Sequence, residues 1–293
     1  MVKRFGDCMG EEEYKKIVQR ISSTNFYDFM NYYDLTYGEL LGIIGYGVHS
    51  DISKMRKNTL YKLLRTKQCI LEFTDSKIGV MADTHIGSPF MSWDKINRMY
   101  DFFFDNDIYT VVLLGDLFHG PSYNCKNSPN RSITQCYQQF VACEDNYPRG
   151  FQNFMLHGNH EQKFEQVGMD LWNMLAVKRN DFFSLGIGRC YVKMNGFIIS
   201  LNHPGIEDRL LPPELYYDIG LYAHYHYFYQ GNKRTYIGTC SNLVNRPASS
   251  KIDNPGFAIL SACDKDLCVT AYDLSTDNIQ PLFAKTYSKS NKR

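Results

Sequence analysis

The 293-residue chain has no long apolar run, no C-x-x-C pair among its nine cysteines, no internal repeat and no excess of charge of either sign. Each absence excludes something. A membrane-spanning helix needs about 20 consecutive apolar residues, and no such run occurs. Scattered cysteines, odd in number, suit reduced thiols in a cytosolic protein better than a disulfide framework or a structural zinc site. Thirty-two basic side chains against thirty-one acidic ones leave a net charge of +1. No overall field therefore draws the chain to nucleic acid or favours disorder. The first residues are charged and include Glu11-Glu12-Glu13, unlike a secretion signal. The expected setting is cytoplasmic, without a membrane partner; the oligomeric state is not legible.

What is present is ordinary globular composition, 44% hydrophobic and 22% charged, in a chain long enough to bury a large core. Residues 1–70 read as a small helical extension. Apolar positions Tyr14, Ile17, Val18 and Ile21 recur at helical spacing. Asn25 to Tyr33 is a second short candidate, and Leu35 to Gly45 a third, opened by Thr36 and closed by glycine. Asp51 to Arg65 follows, with Lys54, Arg56, Lys57, Lys62, Arg65 and Lys67 outward and no acid between Lys54 and Lys67. Helix, turn and basic helix resemble a helix-turn-helix DNA reader, in which Lys54, Arg56 and Lys57 would contact nucleic acid. A helical cap with a solvated basic face fits the same pattern.

Residues 71–285 alternate strand and helix at first and run in consecutive strands later, which implies two sheets flanked by helices. Asp94 to Asn106 places Ile96, Met99, Tyr100 and Phe103 on one helical face. Gly120 to Arg131 is rich in Pro, Asn and Ser and reads as a loop, before a helix over Ser132 to Ala142 and another over Asp170 to Arg179. Residues 286–293 read as a polar tail.

Five apolar runs end in the same kind of chemistry. Ile78 to Ala82 leads into Asp83-Thr84-His85, and Tyr109 to Leu114 into Gly115-Asp116-Leu117-Phe118-His119. Phe151 to Leu156 leads into His157-Gly158-Asn159-His160-Glu161, Phe197 to Leu201 into Asn202-His203, and Gly220 to Ala223 into His224-Tyr225-His226. Strand ends are where α/β sheets collect ligands. Imidazole nitrogen with carboxylate oxygen suits Mn, Fe or Zn better than Ca or Mg. Singly, Asp83 reads as well as a helix cap, Asp116 as a turn residue and Asn159 as a left-handed position.

Jointly and in this order, Asp83-x-His85, Gly115-Asp116, Gly158-Asn159-His160-Glu161, His203 and His224-x-His226 resemble the calcineurin-like metallophosphoesterase superfamily. The resemblance implies an α/β (α+β) two-layer β-sandwich flanked by helices, and two divalent ions, manganese first, with iron or zinc as alternatives. It implies that Asp83, His85 and His226 hold one ion, that Asn159, His203 and His224 hold the other, and that Asp116 bridges them. A hydroxide shared by the ions would attack the phosphorus, with His160 protonating the leaving oxygen.

Asp-Thr-His-Ile-Gly, Gly-Asp-Leu-Phe-His and the nearby Pro121-Ser122 are similar to the SbcD-type DNA-repair nucleases, which would set His119 beside the phosphate. The lack of Arg before Gly-Asn-His disfavours a protein phosphatase. Two departures stand out: Ala223 takes the place of the usual Gly before His-x-His, and the core is followed by too little chain for that branch's DNA-capping domain. The expected activity is phosphodiester hydrolysis, with DNA a candidate substrate and an ATPase partner implied by the resemblance alone. The alternatives are a phosphomonoesterase or cyclic-nucleotide phosphodiesterase, and a DNA-binding scaffold with a vestigial metal site.

Overall fold

The computed structural model describes residues 71–121, 129–169, 171–206, 216–241 and 254–288. The helical extension expected over residues 1–70, with Lys54, Arg56 and Lys57, lies outside the described residues, as does most of the loop after Pro121.

In chain order the strands and helices begin with β1 (Leu71–Phe73), β2 (Lys77–Met81), α1 (Trp93–Asp105), β3 (Thr110–Leu113) and α2 (Pro129–Asn146). Then come β4 (Gln152–His157), α3 (Gln162–Gln166), α4 (Leu171–Lys178), β5 (Phe182–Ile187), β6 (Arg189–Met194) and β7 (Phe197–Asn202). The remainder is β8 (Ile219–Tyr222), β9 (Tyr229–Gln230), β10 (Arg234–Tyr236), β11 (Gly256–Cys263), β12 (Asp266–Asp273) and β13 (Gln280–Ser288). A seven-stranded sheet runs in the order β13-β12-β11-β2-β3-β4-β5 and a six-stranded sheet in the order β1-β6-β7-β8-β10-β9. The two-sheet architecture expected from the strand pattern is the one observed.

Alternation along the strands explains the layers. Ile78, Val80, Val112, Leu114, Ala258 and Leu260 point into one core, where they meet Val192, Ile199, Leu201 and Leu221 of the second sheet. Their neighbours Met81, Val111, Leu113, Met155, Phe257 and Ile259 point the other way, onto Ile96, Met99, Tyr100 and Phe103 of α1 and onto residues of α2 and α4. The central strands are therefore buried on both faces, which is why they read as unbroken apolar runs. Gly79 lets α1 approach, since a Cβ there would lie 2.6 Å from the Phe103 ring. Ser92 caps α1 by accepting from the Lys95 amide.

Two boundaries differ from expectation. Helix α2 starts at Pro129, inside the expected loop, and continues past Ala142 to Asn146; proline is at home in a first helical turn. Strand β13 continues to Ser288, so residues 286–288 belong to the sheet and not to a tail. Tyr287 explains this, since it packs on the inter-sheet core and its hydroxyl accepts from Gln230 Nε2 at 3.0 Å. No helix among the described residues is long and apolar enough to cross a membrane.

Strands β2, β3 and β4 are mutually parallel, as are β7 and β8 in the facing sheet. Their carboxyl ends gather at one edge of the sandwich, and all five polar motifs lie there.

Candidate metal centre

The loops after β2 and β3 run side by side: the Asp83 amide donates to Gly115 O (3.1 Å), His85 to Asp116 O (3.0 Å) and Ile86 to Leu117 O (2.7 Å). The Thr239 hydroxyl closes the turn on Asp83 O at 2.7 Å. Asp83, His85, Asp116, His224 and His226 all have positive φ, between 52° and 74°. Such backbone is costly for residues other than glycine and gathers where side-chain direction matters more than local comfort.

These turns bring the side chains together in three groups whose ligand-capable atoms lie within 4.8 Å of one another: Asp83, His85 and His226; Asp116, His203 and His224; and His85, His119 and His160. His85 Nε2 is 3.2 Å from His226 Nε2, and His226 Nε2 is 3.6 Å from Asp83 Oδ1. On the other side, Asn159 Oδ1 is 3.1 Å from His203 Nε2 and 3.0 Å from His224 Nδ1. Asp116 Oδ2 stands between the two, 3.2 Å from His203 Nε2 and 3.9 Å from His85 Nε2. The same oxygen is 3.9 Å from His160 Nε2. Asp83, His85, Asp116, His119, Asn159, His160, His203, His224 and His226 are thus brought together in one site.

The floor of the site is buried: Asp83, His85, Asp116 and His203 are each at most 1% exposed. His119, Asn159, His160 and His224 are half-buried and form its rim. Burial keeps the His85 imidazole well below its usual pKa, outweighing the nearby Asp116 carboxylate. Burial also lowers His203, but Asp116 more than offsets it and lifts His203 to about 9. Asp116 is held far below the usual carboxylate range, its burial outweighed by His203, His160 and His85. His119 is pushed down to about 4 by burial and by His160 and Lys163.

The residues fit a divalent-ion pair. Two carboxylates, four imidazoles and an amide oxygen converge in a space that little water reaches, and the mix of N and O donors suits Mn, Fe or Zn. His203 Nδ1 lies 2.7 Å from Leu114 O, so its hydrogen is directed to that carbonyl and Nε2 is left facing the site. His85 Nδ1 is buried and has no hydrogen-bond partner. Glycine is needed at 158, where a Cβ would contact Asp116 Oδ1 and come within 2.8 Å of His203 Cε1.

Three residues that support the site carry no distinguishing signal in the sequence. Buried Glu161 accepts from the amides of Asp116 (2.9 Å), Phe118 (3.0 Å) and Gly158 (2.8 Å), tying the β3 and β4 loops together. Burial and then Asp116 push its pKa up to about 7. Gln139 of α2 accepts from Gly120 N and donates to Gly120 O, both at 2.8 Å, and so holds the residue after His119. Lys163 Nζ lies 2.8 and 3.1 Å from the two ring nitrogens of His160. Glu161 stands within a quoted motif, but nothing there distinguishes a buried acceptor from a surface acid.

The calcineurin-like phosphoesterase family model matches residues 76–254, more than half of the chain. A comparison with curated proteins finds no match. Among solved structures, a zinc-bound Vps29 from Entamoeba histolytica is 17% identical over 72% of this chain and 98% of its own, with a TM-score of 0.40. The nuclease MPE of Pseudomonas putida is 14% identical over 70% and 87%, with a TM-score of 0.37. A dimetal phosphatase from Danio rerio is 9% identical over 73% and 99%, also at 0.37. On the family match, the chain belongs to the calcineurin-like phosphoesterases, metal-dependent hydrolases of phosphoester bonds.

Proposed function

We propose that this chain hydrolyses phosphodiesters in nucleic acid, in the manner of the SbcD-type branch. Asp83, His85 and His226 would hold one divalent ion, Asn159, His203 and His224 a second, and Asp116 would serve both. The carrying observation is the position of Asp116 Oδ2, within 3.2 to 3.9 Å of nitrogens from both groups. Bound ions supply a nucleophilic water and neutralise charge on the phosphoryl oxygens.

The protein's own residues orient the substrate and move the proton. His160 Nδ1 lies 2.6 Å from His119 O, so its hydrogen is directed to that carbonyl. Nε2 then faces the site, and in the imidazolium form, with a proton on each nitrogen, it can pass its own proton to a departing alkoxide, which a sugar leaving group requires. His119, with its ring centroid 5.2 Å from that of His160, positions the phosphate. Lys163 supplies positive charge at the same rim.

A diester is favoured by the space beside these rings. A cavity of about 250 Å³ is bounded by Gly87, His119, Gly120, Gln135, Gln138 and Gln139. A second ester substituent would occupy it, whereas a monoester has none to place there. The test compares a chromogenic phosphodiester, the matching monoester and labelled single- and double-stranded DNA, each with manganese and with EDTA. Manganese-dependent cleavage of diester and DNA, lost in Asp116→Ala and His160→Ala, is expected. Turnover of the monoester alone would overturn the proposal.

A further inference from the structure

The outer face of the six-stranded sheet carries a ladder of tyrosines that begins at the metal centre. Strands β8, β10 and β9 lie side by side, with Tyr222 opposite Tyr236 and Tyr236 opposite Tyr229. The alternate residues Leu221 and Thr235 are buried, so the tyrosines take the other face. Tyr222 and Tyr236 stack at 5.2 Å and 25°, and Tyr229 meets Tyr236 edge-on at 5.9 Å. The loop from β8 adds Tyr227, stacked on Tyr236 at 5.5 Å, and Tyr225, 5.6 Å from the same ring. Tyr225 is also in edge contact with His224 at 5.4 Å, and this joins the ladder to the rim of the site.

Tyr225 and Tyr229 remain 39% and 40% exposed. Cations stand at the end away from the site: the Arg234 guanidinium is 5.5 Å from the Tyr222 ring, and Lys233 is 5.3 Å from that of Tyr216. The acid on this segment, Asp218, just before β8, accepts from the Ile198 amide of β7 at 2.8 Å.

We propose that this ladder is a stacking platform for the bases of single-stranded nucleic acid flanking the scissile phosphate, with Tyr225 taking the first base. The inference rests on the phosphodiesterase reading for the position of that phosphate. Two features select this occupant over other aromatic-seeking ligands: the ladder is continuous with a phosphate-cleaving centre, and its far end carries positive charge for further phosphates. Aromatic faces accept any base, so the platform confers affinity with little sequence preference.

The test measures binding of a fluorescein-labelled thymidine dodecamer and an abasic strand of equal length at low salt, with EDTA present to prevent cleavage. Wild-type protein is expected to prefer the base-bearing strand by roughly 5- to 150-fold, the range for one stacked base. Tyr225→Ala should abolish most of that preference, Tyr229→Ala should reduce it, and Tyr225→Phe should keep it. Equal affinity for the two strands, no binding of either, or an unchanged preference in Tyr225→Ala would overturn the platform. Manganese-dependent DNA cleavage is scored separately. Cleavage without base preference sinks the platform alone, whereas base preference without cleavage sinks the nuclease reading and with it the placement of the bases beside a scissile phosphate.

Discussion

Replacing Gln139 separates hydrogen bonding from bulk at the rim of the site. Its amide makes both hydrogen bonds of Gly120, each 2.8 Å, and is itself buried. Gln139→Leu keeps the volume but turns methyl groups toward a buried N–H and C=O. An unsatisfied buried group costs about 1–3 kcal/mol, so leaving two of them costs roughly 2–6 kcal/mol. For a domain of this size that corresponds to a fall of roughly 4–24 °C in Tm. Gln139→Ala removes more side chain but opens the space to the adjoining cavity, from which water can reach both groups of Gly120. The leucine variant should therefore be the less stable of the two, in differential scanning calorimetry at pH 8. Turnover should fall in both as His119 loses its anchor. A leucine variant within 1 °C of wild type, or an alanine variant clearly the less stable, would refute the reasoning, since packing alone predicts that order.

Glu161→Gln should weaken metal binding about 10- to 100-fold by calorimetric titration, because one of three amide bonds that position Asp116, Phe118 and Gly158 becomes a donor facing a donor; unchanged affinity would contradict that role. Gly158→Ala drives a methyl group onto Asp116 and His203 and should lower kcat/KM about 100-fold, with wild-type activity the contrary result. Burial holds His157 down at about 3, against 6.5 when exposed. Because its folded pKa is depressed, its contribution is complete above pH 6.5 and declines as the pH falls toward 3. Metal-free protein should lose roughly 2–3 kcal/mol from this group between pH 6.5 and 4.5 in urea unfolding, a loss that is absent in His157→Gln.

The sequence reveals the central strands because they are covered on both faces, and so Ile78 to Met81 and Tyr109 to Leu114 stand out as apolar runs ending at ligands. It reveals α1 through the spacing of Ile96, Met99, Tyr100 and Phe103. Helix α3, of five residues, is too short to show a period, and β9 and β10 have two and three residues. The positive φ angles of Asp83, His85, Asp116, His224 and His226 have no sequence signature, because Asp and His adopt that region more often than most residues but still only in a minority of their positions. Gln139 reads as one more polar position on a helix until its depth is known. The tyrosine ladder is hidden for a different reason: its rings come from three strands and a loop, and from sequence most tyrosines belong in the core. Tyr100 and Tyr147 are indeed there, whereas Tyr225 and Tyr229 are not.

Anomalous diffraction from crystals loaded with manganese tests the central claim most directly, because it locates ions independently of any substrate. The account expects two peaks on either side of Asp116, one among Asp83, His85 and His226 and the other among Asn159, His203 and His224. A single peak, or a pair that leaves Asp116 outside both coordination shells, would contradict it.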